Sequence, residues 1–102
     1  MFILHLTYLV PINEVEKYLQ AHREHLDYYY KQGLLIASGP LSPRTGGVII
    51  AAKMELAKLD KILREDPFTL AGIAEYQVME FTPVKHCAAL AALIQQTEGP
   101  LC

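Results

Sequence analysis

Gly33-Leu34-Leu35-Ile36-Ala37-Ser38-Gly39-Pro40 is the stretch that decides the predicted fold. Gly33 follows a helical pattern and is the residue type that commonly ends a helix. The residues from Leu34 to Ser38 then form an apolar run of strand length, and Gly39-Pro40 ends it because proline has no backbone N–H to donate. The chain therefore changes from helix to strand here, and the other elements can be placed outward from this point.

Upstream of this stretch, the sequence predicts one strand followed by one helix. The strand runs from Phe2 to Leu9, with one continuous apolar face and one mixed face that includes His5. Asn13 and Glu16 have the spacing of a capping box, so the helix is expected to begin near Glu14. Its inward stripe is formed by residues at three- and four-residue steps: Val15, Tyr18, Leu19, His22, Leu26 and Tyr29.

Downstream, the pattern predicts two further strands, a helix between them and a final helix. A turn-rich loop from Leu41 to Thr45 leads to Gly46-Gly47. The elements that follow are a strand from Val48 to Met54, a helix from Glu55 to Glu65, a strand from Ile73 to Thr82 and a helix from His86 to Gln96. Asp66 and Pro67 are typical of the N-cap and first position of a short helical turn, which Gly72 closes.

This order predicts an α+β protein with a ferredoxin-like βαββαβ fold and a C-terminal helix. One domain is expected over residues 1–85, followed by a helical extension and tail over 86–102. Hydrophobic residues make up 52% of a 102-residue chain, which is more than one small core is expected to hide. The mixed sheet face is therefore predicted to pack on a second copy, giving a dimeric α+β barrel, and a higher oligomer stays open.

Composition excludes several classes of function. The formal net charge is −2 and the nine Lys and Arg residues are scattered, so no nucleic-acid surface is expected. No apolar run is long enough to span a bilayer, and the N-terminus lacks the basic region of a signal peptide. Cys87 and Cys102 form neither a disulfide framework nor a zinc spacing, and Cys87 is expected to be a small buried side chain. We therefore expect a cytoplasmic protein.

His25 and Asp66 form the candidate catalytic pair. A histidine exchanges protons near neutral pH, and a carboxylate bonded to one ring nitrogen fixes its tautomer and stabilises its protonated form. The alternative is structural, with His25 on the helix surface and Asp66 serving only as an N-cap. The sequence separation of the two residues does not decide between these interpretations.

A metal site is the competing interpretation of the histidines. His22 and His25 are three residues apart and so neighbours on the helix, and His5 on the mixed strand face could join them. No metal-specific motif surrounds the pair, so neither a metal nor another cofactor is predicted.

A small-molecule pocket is predicted beside the catalytic pair. Its expected contacts are Ser38, Gly39, Pro40, Phe68 and His22. Ser38 lacks the Gly-x-Ser-x-Gly context of a nucleophile and is taken as a polar contact. Phe68 is either a pocket wall or a buried anchor of the turn that it follows.

Taken in order, these short motifs resemble the YciI-like (YCII-related) family over about residues 1 to 85. The resemblance rests on His25-Leu26, Gly33-Leu34-Leu35 with Gly39-Pro40, Gly46-Gly47, Asp66-Pro67-Phe68 and Phe81-Thr82-Pro83. It implies a ferredoxin-like fold that dimerises through sheet faces, and an active site built on a His–Asp pair. Carried over residue by residue, the pair is His25 and Asp66, while His22 occupies a position where many relatives have arginine.

Two functions follow as hypotheses. The first is a small cofactor-independent enzyme, a lyase or isomerase that acts on a small ring or enol-like compound through acid–base chemistry. The resemblance makes this class plausible because the family contains a dehydrochlorinase. The second is a non-catalytic dimeric module that binds a small ligand or a partner through the same fold.

Overall fold

A computed structural model describes residues 1–97 and confirms the α+β, ferredoxin-like fold. Two α-helical segments separated by a 3-10 turn at Glu16–Tyr18 lie between the first two strands. In chain order the elements are β1 (Phe2–Tyr8), α1 (Ile12–Val15), α2 (Leu19–Lys31), β2 (Leu35–Pro40), β3 (Gly46–Ala51), α3 (Leu56–Arg64), α4 (Pro67–Leu70), β4 (Ala74–Glu80) and α5 (Ala91–Thr97).

The four strands form one antiparallel sheet in the order β2-β3-β1-β4. In β1, Leu4 pairs with Ile49 of β3 and with Val78 of β4. Because side chains alternate along a strand, this register places every second residue of β1 on the face that the helices cover. We call that side the helix face and the other side the open face.

The core lies between the helix face and the helices. A larger cluster joins β1 to α2 and α3 through Phe2, Leu4, Leu26, Tyr29, Leu35, Ile49, Ala51, Leu59 and Ile62. A smaller cluster gathers around α4 and the end of β4 and consists of Leu6, Val15, Phe68, Ile73 and Ala74. In the smaller cluster, Phe68 and its neighbours anchor the turn that carries Asp66.

Some predicted boundaries are wrong. The first helix begins at Ile12, and the carbonyl of Pro11 accepts the N–H of Glu14 at 2.9 Å, so Asn13 lies inside the helix and caps nothing. β2 continues through Gly39 to Pro40, because an edge strand tolerates a proline that has no N–H to donate. The predicted helix stop at Gly33 is confirmed by its left-handed conformation, with a φ of 75°.

The C-terminal segment contains a 3-10 turn at Ala88–Leu90 that leads into α5. Cys87 was expected to be buried but is exposed. The predicted tail from Glu98 to Cys102 lies outside the described residues, and the division into a domain at 1–85 and an extension at 86–102 stays a prediction. No helix in residues 1–97 has the length and hydropathy needed to cross a membrane.

The open face carries apolar side chains that stay half-buried in the single chain. On the two central strands these are Ile3 of β1 and Val48 and Ile50 of β3, which alternate with the fully buried residues of the helix face. Met79 of β4 extends this apolar surface and is 53% exposed, while His5 and Thr7 of β1 are the polar residues of the same face. The predicted mixed face therefore exists.

Gly46 allows β1 and β3 to pair closely. A Cβ atom on Gly46 would lie 1.8 Å from the carbonyl oxygen of Leu6, whereas a Cβ on Gly39 meets nothing within 4 Å. We expect Gly46→Ala to lower the free energy of unfolding by about 2–3 kcal/mol, since backbone must move to relieve the contact. Gly39→Ala is the matched control and should change it by less than about 1 kcal/mol. Urea denaturation measures both, and equal stabilities for the two variants would contradict the pairing.

Candidate active site

The site is organised by Asp66, a carboxylate that is only 1% exposed. Asp66 is the N-cap of α4, and its Oδ1 accepts the backbone N–H of Phe68 at 2.9 Å. Its Oδ2 accepts the hydroxyl of Tyr76, on β4, at 2.5 Å. Asp66 is therefore an N-cap, as the structural alternative predicted. This position brings its carboxylate against α2.

His22 is the histidine that meets this carboxylate. Its Nδ1 lies 2.9 Å from both oxygens of Asp66, and the residue is 8% exposed. The imidazole also stacks on the ring of Phe68, with centroids 4.0 Å apart and an interplanar angle of 1°. The carboxylate and the aromatic ring together fix both the position and the tilt of the imidazole.

The hydrogen bonds around Asp66 determine which nitrogen of His22 carries the proton. Burial, followed by the charge of Asp66, raises the pKa of the Tyr76 hydroxyl, so Tyr76 keeps its proton and donates it. The N–H of Phe68 can only donate, and an ionised carboxylate can only accept. Nδ1 of His22 then donates as well, which leaves the lone pair of Nε2 free.

Nε2 is the ring nitrogen that Asp66 does not contact. This nitrogen makes no hydrogen bond within the described part of the chain. It is also not fully buried, because Thr69 Oγ1 is the buried side-chain polar atom of the described residues that lacks a partner. It is therefore open to a cleft, of which His22 forms part of the wall. An imidazole held at Nδ1 by a carboxylate and open at Nε2 can take up a proton and return it.

The predicted contact between His25 and Asp66 is wrong. His25 lies one turn further along α2, and its Nε2 is 2.8 Å from the carbonyl oxygen of Ile62 on α3. Its ring also meets the edge of Tyr29, with centroids 5.2 Å apart. Donation of the Nε2 proton to Ile62 ties α2 to α3, which makes the observed contacts of His25 structural.

The cleft has a volume of about 360 Å³ and lies between α2 and the β2–β3 edge of the sheet. The structure places Ser38, Gly39, Pro40 and Phe68 in its wall together with His22. Ser38 Oγ also accepts the hydroxyl of Tyr30 at 2.6 Å, which positions it. Leu6, Leu19, Leu26 and Ile49 supply apolar side chains to the lining.

Three polar cleft residues were missed from the sequence: Arg23, Arg44 and Tyr8. Arg44 pairs with Glu16 at 3.1 Å, and its guanidinium lies 6.0 Å from the centroid of the Tyr8 ring. Arg23 follows His22 directly, and the helical pattern gave no reason to point it toward a pocket. A long flexible side chain can reach a cleft from the flank of a helix, which periodicity does not reveal.

The alternative metal site does not form. His5 lies on the open face, where its register partners are Val48 and Gln77, while His22 faces the opposite side of the sheet. His22 and His25 bind different partners. Among the described residues, no three His, Cys, Asp or Glu side chains converge on one point.

A family model for the YCII-related domain matches residues 1–82 of this chain. The chain belongs to this family. None of the curated proteins matches it. One similar solved structure is that of 5-chloro-2-hydroxyhydroquinone dehydrochlorinase from Burkholderia phenoliruptrix in complex with 2,5-dihydroxybenzoquinone. The two sequences are 20% identical, the TM-score is 0.59, and the match covers 87% of this chain and 98% of that chain. At this level of identity the likeness shows that the two proteins share a fold.

In this YCII-related chain, Tyr76 is expected to stabilise the site measurably. Tyr76→Phe removes one of the donors to a buried carboxylate, so we expect the free energy of unfolding at pH 7 to fall by about 1–3 kcal/mol. Tyr18→Phe is the matched control, since Tyr18 is 38% exposed and makes no hydrogen bond to the described residues. Thermal or urea unfolding compares the two, and equal losses would remove Tyr76 from the network.

Above pH 10 the same variant gives a second signature. The raised pKa means that the folded state keeps the Tyr76 proton where the unfolded state releases it, so stability falls as the pH rises past about 10. Tyr76→Phe should therefore lose less stability than the parent protein between about pH 10 and 11, by up to about 1.4 kcal/mol. Tyr18→Phe should follow the parent curve.

Proposed function

We propose that this protein is a small cofactor-independent acid–base enzyme in which His22 transfers the proton and Asp66 positions it. One observation carries the proposal: the imidazole is fixed at Nδ1 by a buried carboxylate and is open to a cleft at Nε2. The sequence had assigned the catalytic role to His25, and the proposal moves it to His22.

The chemical step begins when Nε2 of His22 removes an acidic proton from a bound compound. Asp66 accepts hydrogen bonds from Tyr76 and from the N–H of Phe68, and its carboxylate stabilises the imidazolium that forms. In an isomerisation, His22 returns the proton to another atom of the substrate. In an elimination, a leaving group departs with its bonding electrons, and His22 then releases the proton to water.

Several features support a small cyclic or enol-like substrate. A cleft of about 360 Å³ lies near the lower end of the range for small-molecule sites, which favours a single ring. Its apolar lining suits a ring, and Ser38 can offer a polar contact at the edge. The similar structure is that of a dehydrochlorinase with 2,5-dihydroxybenzoquinone bound, and this supports a ring compound as the substrate and elimination as one possible reaction.

A replacement of His22 tests the enzyme proposal directly. We would incubate the protein with chlorinated hydroxyhydroquinones and cyclic 1,3-diketones, and follow chloride release, ultraviolet absorbance and deuterium exchange by NMR. His22→Gln should reduce the rate on any accepted compound by about 100-fold or more, because a general base typically contributes that much. Asp66→Asn should reduce it as well, since the ring loses the acceptor that sets its tautomer.

His25→Gln is the matched comparison, because it removes the imidazole one turn away and should leave the rate within about threefold. Loss of activity in His25→Gln with retention in His22→Gln would overturn the assignment. Binding in the cleft without turnover of any compound would favour the alternative, a non-catalytic dimeric module that holds a small ligand.

We also propose that a second copy of this chain covers the open face, in a cytoplasmic protein whose exposed Cys87 stays a reduced thiol. The half-buried Ile3, Val48 and Ile50 would then pack between two sheets, with His5 and Thr7 beside them. This arrangement is the dimeric barrel that the apolar composition predicted.

Ile50→Glu tests the second copy. Light scattering of the parent protein at about 10 μM should give twice the chain mass of 11.4 kDa, and Ile50→Glu should shift the mass toward one chain, because burying a charge in an apolar interface is costly. Leu56→Glu is the matched control, since Leu56 is 66% exposed on α3 and should leave the mass unchanged. A parent protein that is monomeric at this concentration would contradict the dimer.

A further inference from the structure

The positive charges of this chain are unevenly placed with respect to the cleft. The sequence has three arginines, and two of them, Arg23 and Arg44, line the cleft, while the third, Arg64, pairs with Asp60 on α3. Among residues 1–97, no Asp or Glu is part of the cleft wall. A protein with a formal net charge of −2 therefore presents a cationic cleft.

Arg23 is available to a ligand. It is exposed and makes no hydrogen bond or ion pair with the described part of the chain. It follows His22 on α2 and forms part of the cleft wall, so both residues reach the cleft from the same helix. An arginine presents five N–H donors in a planar fork, a geometry that matches the two oxygens of a carboxylate.

Arg44 is held at the cleft rim from two sides. One of its terminal nitrogens donates to Glu16 at 3.1 Å, and its guanidinium lies near the ring of Tyr8. The contact with Glu16 uses a single nitrogen of the group, so other donors remain for a ligand. An exposed ion pair of this kind is weak, and an incoming anion can compete with it.

We infer that the substrate is a small monocyclic anion whose carboxylate, or equivalent delocalised oxyanion, is bound by Arg23 and Arg44. The ring lies on the apolar lining, with its acidic position toward Nε2 of His22. This inference rests on the proposed function for the chemistry at His22, and it adds the class of compound that the cleft selects.

Charge complementarity carries the inference beyond shape. An apolar ring could occupy the cleft without either arginine, because Leu19, Leu26 and Ile49 supply its walls. Two arginines line the same cleft, and one of them has no hydrogen-bond or ion-pair partner among residues 1–97. They give an anion an advantage that a neutral ring of equal size lacks. The cleft therefore discriminates between compounds by charge as well as by size.

A matched pair of probes tests this directly. We would titrate the full-length protein with 4-hydroxybenzoate and with the neutral 4-hydroxybenzamide at low salt, and follow backbone and arginine side-chain NMR signals. The carboxylate should bind at least about tenfold more tightly than the amide, and the difference should shrink as salt is added. Arg23→Gln and Arg44→Gln should each weaken 4-hydroxybenzoate about three- to tenfold, with the amide changing less than about twofold.

Arg64→Gln is the control, because it removes the same charge from the molecule outside the cleft. Equal affinities for the two probes would overturn the inference, as would an Arg64→Gln loss as large as the other two. Absence of saturable 4-hydroxybenzoate binding below about 10 mM would also overturn it, since even weak specific sites bind in that range. The affinities are measured without turnover, so failure of this inference is distinguishable from failure of His22 as a proton-transfer residue.

Discussion

A buried carboxylate is the constraint on which the rest of the structure depends. Asp66 is almost fully enclosed, and leaving such a group without partners costs about 3–5 kcal/mol. Its donors come from three elements: the start of α4, the strand β4 and the helix α2. All three elements can donate to the carboxylate only when they lie in this arrangement. The hydrogen bonds therefore specify how α2 is oriented on the apolar core.

The same residue thereby joins stability to chemistry. Asp66 ends the preceding loop by capping α4, and the cap directs its side chain toward α2. Phe68, two residues later, donates its N–H to Asp66 and places its ring flat against the imidazole of His22. A turn of four residues therefore supplies both the acceptor and the stacking surface that hold the imidazole, and it does so without any separate binding loop.

Local sequence features predicted much of this fold because they act within a few residues. Proline after Asp66 and left-handed glycine at Gly33 and Gly72 mark element ends in the sequence and in the structure. One failure is local, and the others involve interactions between distant elements. Asn13 had the spacing of a cap, but the backbone of Pro11 had already started the helix.

The choice between His22 and His25 shows the same limit and also a signal that was available. His22 belongs to the inward stripe of its helix, and a histidine in that stripe must find a partner in the core, whereas His25 lies at its edge. The helical periodicity thus indicated that His22 is the buried histidine, while the family resemblance assigned the catalytic histidine to His25. His22 meets Asp66 because of the way α2 crosses α4, and Tyr76 reaches Asp66 because of the register of β4. Local residue spacing predicts neither of these arrangements.

Charged side chains of both signs are placed around the site of His22. The carboxylate of Asp66 contacts Nδ1 of the imidazole in the core, and Arg23 and Arg44 form part of the wall of the same cleft as His22. An imidazole that takes up a proton becomes a cation, which Asp66 attracts and the two arginines repel. An anionic compound in the cleft offsets the arginines, and so it reduces their repulsion of the imidazolium that would form in the proposed step. A neutral compound provides no such balance, which connects the selectivity of the cleft to the chemistry of the residue at its wall.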